Sequence, residues 1–197
     1  MPPQNLIDSK LREWTAGKSG REAMIAIYSK IRDIPYGILP ELNSPNNYLH
    51  IFETNMGSCT PKHLLMCTMY RMLGLDVLYA VYHYRWAEFE ELYPKELWKL
   101  ALKMAPASHL ACKVEINGRY VLVDATVDPP LGRIGLPVNE SWDGESDTTL
   151  PILPTGEEEL YYPSEADLMP PPDVDDNARS FYQGLNSYFQ EIRDGKY

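Results

Sequence analysis

Apolar residues recur at helical spacing in five stretches of the chain, the pattern of helices that pack one face on a core. Gly17 and Gly20 separate the first two stretches, and Pro35 ends the second. Pro61 suits the first turn of the third stretch, and Gly74 suits its C-cap. The pattern predicts helices over residues 5–17, 20–34, 60–73, 94–104 and 176–193.

Residues that favour β-structure indicate one strand and one hairpin. Residues 77–82, with the sequence VLYAVY, are rich in strand formers. Residues 109–126 contain two alternating runs around Asn117-Gly118, the pair typical of a two-residue type I′ turn. Such a turn places Ile116 opposite Arg119 and thereby decides which residues of the hairpin share a face.

The predicted hairpin has an apolar face and a face that carries functional groups. Besides Arg119, the first face holds Leu110, Cys112, Val114, Ile116, Val121, Val123 and Ala125. His109 and Asp124 lie on the second face as diagonal neighbours, roughly 7–8 Å apart between backbones. Ala111 is small and lies beside His109, so we expect the helix at 60–73 to approach this second face closely.

Length and composition are those of a globular chain with a sizeable core. The chain has 197 residues, of which 44% are hydrophobic and 11% aromatic, which excludes a disordered protein. We expect residues 1–135 to form the core together with the N-terminal helices. Residues 136–197 should form an acidic, proline-rich wrap and a C-terminal helix packed on the same domain.

Negative charge is concentrated in one segment. The net charge is −10, and residues 138–176 contain 12 of the 28 acidic residues but no Lys, Arg or His. No basic stripe exists to follow phosphates, so we do not expect nucleic acid as a partner. The acidic segment is read most simply as a solvated loop. Its aromatic and apolar residues favour a wrap over the core, with the last helix docked through Phe181, Leu185 and Phe189.

Cysteine content and hydropathy indicate the cellular compartment in which we expect the protein. Three cysteines are too few for a disulfide framework and leave at least one free thiol, which favours a reducing, cytoplasmic setting. No stretch reaches the roughly 20 apolar residues of a membrane span. The N-terminus lacks the apolar region of a signal peptide, so we expect a cytoplasmic protein without a membrane partner. The oligomeric state stays open.

Cys59 stands where a helix begins, and its surroundings suggest a reactive thiol. A helix N-terminus or a neighbouring imidazolium lowers a thiol pKa from about 8.5 to roughly 3.5–7.5. His109 could act as the base, and Asp124 could hold the imidazole in the required tautomer.

These residues resemble the transglutaminase-like superfamily, over roughly residues 20 to 130. Cys, His and Asp follow one another in the family's order, each in the expected element. The motifs that carry the resemblance are Ile27-Tyr28, Ile34-Pro35-Tyr36, Gly57-Ser58-Cys59, Leu73-Gly74-Leu75, the run from His109 to Val114, Asn117-Gly118, and the run from Leu122 to Thr126.

The resemblance implies an α+β fold with a papain-like core, in which a nucleophile-bearing helix packs on an antiparallel sheet. It implies Cys59 as nucleophile, His109 as base and Asp124 as orienter, acting through an acyl-enzyme. The function expected is that of a thiol-dependent amide hydrolase or acyltransferase, a cysteine protease or amidase. Its substrate would be a peptide or another amide, and it would require no cofactor and no metal.

The chain departs from the family in three places. Leu110-Ala111 stands where many members have Ala-Trp, and Asp124-Ala125-Thr126 replaces Asp-Pro-Thr. The paired Cys-x-x-Cys zinc motifs of the glycan-cleaving branch are absent from the sequence. The Cys59 backbone N–H is one expected oxyanion donor. The second donor stays open among Asn55, Asn47 and Tyr36.

Other interpretations remain for several residues. Cys59, His63 and Cys67 are spaced i, i+4 and i+8, and with His109 they could hold a metal. His63 on its own is typical of a residue on the helix surface. Cys67 and Cys112 are expected as buried small hydrophobes, and Asp128 as a turn former. A catalytically inactive protein-interaction module with the same fold is the alternative function.

Overall fold

The computed structural model describes residues 3–168 and 174–196. It has an α+β fold, as expected. Within the described residues the helices are α1 (Pro3–Trp14), α2 (Gly20–Arg32), the single turn α3 (Ile51–Thr54), α4 (Cys59–Met72), α5 (Lys95–Ala101) and α6 (Asp176–Arg193). The strands are β1 (Val77–Tyr84), β2 (Ala107–Ile116), β3 (Arg119–Val123) and β4 (Glu159–Tyr161). The five predicted helices are therefore confirmed, with small differences at their ends.

The strands form one antiparallel sheet in the order β3-β2-β1-β4. The β2–β3 hairpin has the predicted register, from Ile116 opposite Arg119 to Cys112 opposite Val123. Asn117 and Gly118 have φ values of 54° and 84°, the left-handed geometry that a type I′ turn requires. The turn residues thus set the register of the hairpin.

The hairpin ladder ends at the Cys112–Val123 pair. Extending the register would place Asp124 opposite Ala111 and Thr126 opposite His109, but the two strands separate before those positions. β2 itself continues to Ala107 by pairing with β1, where His109 lies opposite Tyr82. The opening therefore frees one side of β2 next to His109.

Helix α4 packs on the apolar face of the sheet. The buried core joins Leu64 and Cys67 of α4 to Cys112, Val114 and the rest of that face. The expectation that α4 approaches the Ala111 face is wrong. Leu150 and Ile152, apolar residues of the acidic segment, cover that face, which includes Ala111 and Leu122.

A second buried cluster forms around α6. The predicted docking residues Phe181, Leu185 and Phe189 are 0%, 0% and 2% exposed. They pack with residues such as Trp86 and Leu131, and the Trp86 and Phe181 rings lie 5.0 Å apart edge to face. The apolar stripe of α6 therefore docks as the sequence predicts.

No helix in the described ranges is long and apolar enough to cross a membrane.

The acidic segment is largely irregular and lies against the core. Trp142 is buried beside Tyr28, with ring centroids 5.6 Å apart. Glu158 and Asp147 hold specific positions, since Glu158 accepts a hydrogen bond from Tyr82 and Asp147 accepts one from the Leu122 N–H. A solvated loop would make no such contacts.

The segment also contains β4, which the sequence pattern did not predict. Its three residues form an antiparallel edge with β1 from Tyr79 to Val81. Of the range 138–176, residues 169–173 lie outside the described residues. The division of the chain at residue 135 stays a prediction.

Asp128 does more than form a turn. It precedes a 3₁₀ helix at Pro129–Ile134, and its side chain is buried. Its carboxylate accepts hydrogen bonds from Arg193 at 2.7 and 2.8 Å and from the Tyr36 N–H at 2.7 Å. Because Arg193 also donates to the Tyr36 carbonyl, one ion pair joins α6 to the segment before Cys59.

We expect Asp128→Ala to destabilise the fold by about 3–5 kcal/mol, since it leaves Arg193 as an uncompensated buried charge. Chemical denaturation measures the change in unfolding free energy. Glu96→Ala, which breaks an exposed i,i+3 pair with Lys99, is the control and should change stability by less than about 1 kcal/mol. Similar losses in the two variants would contradict the structural role of Asp128.

Candidate active site

Cys59 is held at the start of α4 by a close backbone approach. The Gly57 N–H donates to the Pro35 carbonyl and the Gly37 N–H donates to the Gly57 carbonyl, which forms a parallel bridge between Tyr36 and Gly57. A Cβ on Gly57 would lie 2.6 Å from a methyl group of Ile51, so a larger residue here would force the buried Ile51 side chain to shift. These backbone bonds thus hold Gly57 against the Tyr36 segment, two residues before α4 begins.

Cys59, His109 and Asp124 form a continuous buried chain. His109 Nε2 lies 2.5 Å from Asp124 Oδ2, and the His109 side chain is hydrogen-bonded to the Cys59 thiol. Because Asp124 engages Nε2, Nδ1 is the ring nitrogen left for the thiol. The three residues are 8%, 2% and 1% exposed. The structure therefore brings together the three residues that the sequence predicts as catalytic.

The electrostatics of this chain favour a thiolate and an imidazolium. Burial alone raises the pKa of Cys59, but the His109 charge and hydrogen bonds from His109 and the Leu110 N–H lower it below its ordinary value. Burial lowers the pKa of His109, yet Asp124 and Cys59 together raise it to about 10. Burial raises the pKa of Asp124, which His109 nonetheless lowers to about 2. Each charge is thus stabilised by its neighbour.

The opening of the hairpin is what admits the thiol. In an antiparallel ladder alternate pairs exchange both backbone hydrogen bonds, so Leu110 and Ala125 would be the next such pair after Cys112 and Val123. Instead, the Leu110 N–H donates to the Cys59 sulfur, and the Ala125 N–H donates to His63 Nε2 at 3.0 Å. Groups of α4 therefore take the place of the missing ladder bonds.

Backbone and side-chain contacts fix Asp124 from several directions. The Thr126 N–H donates to Asp124 Oδ1 at 2.9 Å. From the acidic segment, Thr148 Oγ1 accepts from the Asp124 N–H at 2.7 Å, and Asn139 Nδ2 donates to the Asp124 carbonyl at 3.2 Å. The acidic segment thus holds the backbone of Asp124 in place, which no sequence signal indicated.

His63 and Lys62 are completely buried, so the prediction of His63 as a helix-surface residue is wrong. His63 Nδ1 lies 2.9 Å from the Cys59 carbonyl oxygen, so the ring contacts the backbone of Cys59. Lys62 Nζ donates to the Thr126 carbonyl at 2.7 Å. Sequence reasoning missed both roles, although the i, i+4 spacing of Cys59 and His63 was a signal for His63.

A cavity of about 360 Å³ opens beside Cys59. Tyr36 lines it, whereas Asn47 is exposed and donates to the Glu41 carbonyl. Asn55 borders a separate cavity of about 250 Å³. Of the three candidate oxyanion donors, the structure therefore places only Tyr36 at the thiol. The larger cavity is also lined by Asn43, Ser58, Trp86, Lys103, Met104, Asp175 and Tyr182, among others.

The proposed metal ligands are not arranged as a metal site. Both ring nitrogens of His63 are engaged by backbone groups, and the Cys67 side chain is hydrogen-bonded to Cys112. In the part of the chain that the structure describes, no three His, Cys, Asp or Glu residues lie together as a metal site. Cys67 and Cys112 are fully buried, as predicted.

Comparisons with known proteins add little. No model of a known protein family matches the chain, and no curated protein matches it. The chain is similar to the crystal structure of a candidate cysteine protease from Cytophaga hutchinsonii, with 21% identity and a TM-score of 0.44. The match covers 66% of this chain and 39% of that one. At this TM-score the likeness assigns no chemistry, which is argued from the site geometry alone.

We expect iodoacetamide to modify Cys59 far faster than Cys67 or Cys112 at mildly acidic pH. His109 and the Leu110 N–H favour the Cys59 thiolate, whereas burial raises the pKa of Cys67. His109→Ala should slow the labelling strongly. Time-resolved peptide mass spectrometry measures the three rates, with unfolded protein as the control in which they converge. Equal rates in the folded protein would rule out an activated Cys59.

Burial lowers the pKa of His63 from 6.5 to about 4. We therefore expect the free energy of unfolding to decrease as the pH falls through this range. Between these pH values His63 binds a proton in the unfolded chain but not in the folded one. This difference lowers the free energy of unfolding by up to about 3 kcal/mol. Denaturation at about pH 7 and about pH 4 should show a smaller loss for His63→Leu than for the wild type. Identical losses would show that His63 does not titrate as described.

Proposed function

We propose that this chain is a thiol-dependent amide hydrolase or acyltransferase with a transglutaminase-like core. The observation that carries the proposal is the buried Cys59–His109–Asp124 chain whose thiol lines a cavity. The order of the three residues, and the elements on which they lie, support the family resemblance. The acyl donor would be a peptide or another amide.

In the first half-reaction, the Cys59 thiolate attacks the amide carbonyl and forms a tetrahedral intermediate. The C–N bond then breaks, and the His109 imidazolium transfers its Nδ1 proton to the departing amine. The product is a thioester on Cys59 and a neutral His109. The lowered pKa of Cys59 and the raised pKa of His109 favour this ion pair, so in the proposed scheme attack starts from the thiolate.

In the second half-reaction, His109 accepts a proton from water or from an amine as that molecule attacks the thioester. Collapse of the intermediate breaks the C–S bond and restores the Cys59 thiolate and the imidazolium. Water gives a carboxylic acid and an amine gives a new amide. Asp124 stays ionised throughout, holding the His109 ring and stabilising its charge.

The developing oxyanion requires donors beside Cys59. We assign the first to the Cys59 N–H, at the start of α4. Ser58 directs its hydroxyl to Asn43 Oδ1 at 2.7 Å rather than capping the helix, which leaves the first-turn N–H groups to other partners. Tyr36 is the proposed second donor, because it lines the cavity and burial raises its pKa, so that the hydroxyl keeps its proton.

We expect a panel of amide-mimicking electrophiles and activated amides to acylate Cys59, detected as a mass increase on intact protein. Cys59→Ala should abolish the adduct. His109→Ala should slow turnover by about 10²–10⁴-fold because general acid–base catalysis is lost, and Asp124→Asn should slow it less than His109→Ala because the imidazole remains.

Cys67→Ala is the matched control, since it removes a thiol from the same helix but outside the cavity. Its acylation should equal that of the wild type. If Cys59 is activated but forms no acyl adduct with any member of the panel, the result would contradict the proposed enzymatic function. The inactive interaction module would then be the better account.

A further inference from the structure

His63 connects the two ends of the proposed catalytic chain without touching the reacting atoms. It lies one helical turn after Cys59 and is 0% exposed. Its Nε2 accepts the Ala125 N–H at 3.0 Å, so this nitrogen carries no proton. The proton is therefore on Nδ1, which donates to the Cys59 carbonyl at 2.9 Å. One neutral tautomer satisfies both bonds.

Lys62 and His63 of α4 bind the backbone of residues 125–126, directly after Asp124. One of them donates hydrogen bonds and the other accepts one. His63 accepts from the Ala125 N–H, while Lys62 Nζ donates to the carbonyls of Ala125 at 3.4 Å and Thr126 at 2.7 Å. Lys62 also donates to the Arg32 carbonyl at 3.2 Å. Two adjacent residues of one helix therefore occupy the N–H and the carbonyl of Ala125, the two groups that the next ladder pair would use.

The hairpin register shows what these bonds prevent. If β3 continued, Leu110 and Ala125 would exchange two backbone hydrogen bonds, as Cys112 and Val123 do at the last pair. That pairing would take the Leu110 N–H away from the Cys59 sulfur. It would also move Asp124 toward the position opposite Ala111.

We propose that His63 is a positioning residue that holds the hairpin open behind Asp124, so that the Leu110 N–H can bind the Cys59 sulfur and Asp124 can bind His109. The inference rests on the proposed function, because it concerns the activation of the same thiol. Without His63 the buried Ala125 N–H has no acceptor on α4. The Leu110 carbonyl, its partner in the extended hairpin register, would then be the available acceptor.

The protonation state of His63 agrees with this role. Burial lowers its pKa to about 4, despite the nearby Asp124, so the ring is neutral at physiological pH. A protonated ring would present a second N–H to the Ala125 N–H and could not accept it. The charged and titratable neighbours of His63 include Asp124, His109, Lys62 and Cys59.

The test uses His63→Leu, which removes the acceptor, and His63→Gln, whose amide oxygen can accept the Ala125 N–H near the position of Nε2. The readout is the rate of Cys59 alkylation as a function of pH. His63→Leu should slow alkylation near neutral pH by about 10- to 100-fold through misplacement of the pair. The change in rate that accompanies deprotonation of His109 should move to lower pH, as in Asp124→Asn. The reason is that His109 without its Asp124 partner has a lower pKa. His63→Gln should restore most of the rate.

A double-mutant cycle separates positioning from general destabilisation. If His63 acts through Asp124, adding His63→Leu to Asp124→Asn should slow alkylation little further. Cys67→Ala is the matched control, because it removes a buried side chain one turn further along α4 and should leave the pH profile unchanged. Additive effects, or a His63→Leu profile equal to that of Cys67→Ala, would overturn the inference.

The outcomes for function and positioning are distinguishable. If wild-type Cys59 is no more reactive than Cys67, the proposed function falls and the inference falls with it. If wild-type Cys59 is activated but His63→Leu leaves its rate and pH profile unchanged, only the inference falls. Should His63→Leu fail to fold, His63→Gln carries the same comparison, with a wild-type-like pH profile expected and a profile like that of Asp124→Asn overturning the role of the accepted hydrogen bond.

Discussion

The site depends on one interruption of backbone hydrogen bonding. The β2–β3 ladder ends at Cys112 and Val123, and the backbone groups beyond it are satisfied by α4 instead of by each other. A buried N–H without an acceptor would cost about 1–3 kcal/mol, so the opening exists only because the helix supplies acceptors. The Cys59 sulfur is one of these acceptors, so the separation of the strands leaves the Leu110 N–H free to bind the thiol.

Burial then makes each charge dependent on its partners. A thiolate, an imidazolium or a carboxylate alone at these depths would be strongly disfavoured. Together, Cys59, His109 and Asp124 compensate one another, and each partner's charge or hydrogen bond moves the pKa of its neighbour toward the charged form. Asp124 also lies near His63, but there burial outweighs its charge and lowers the pKa of the ring to about 4. Two histidines whose rings lie 6.1 Å apart thus have pKa values shifted in opposite directions because their surroundings differ.

The C-terminal third of the chain supports the site mechanically. Thr148 and Asn139 of the acidic segment hold the backbone of Asp124, and Arg193 of α6 holds Asp128 and the Tyr36 carbonyl. These contacts explain why an acidic segment lies over the core instead of projecting into water. The carboxylates of Glu145 and Asp147 and the carbonyl of Asn139 accept hydrogen bonds from donors of α2 and of the sheet.

The sequence alone determined the features that depend on neighbouring residues. Helical periodicity located α4 and α6, and Asn117-Gly118 set the hairpin register, because turn geometry and side-chain alternation act over a few residues. The order of Cys59, His109 and Asp124 indicated the candidate chemistry. Only the tertiary structure decided where the ladder opens, that α4 covers the Cys112 face, and that His63 is buried. Those outcomes depend on groups such as His63 and Ala125, 62 residues apart, whose competition for the same backbone hydrogen bonds is settled by packing.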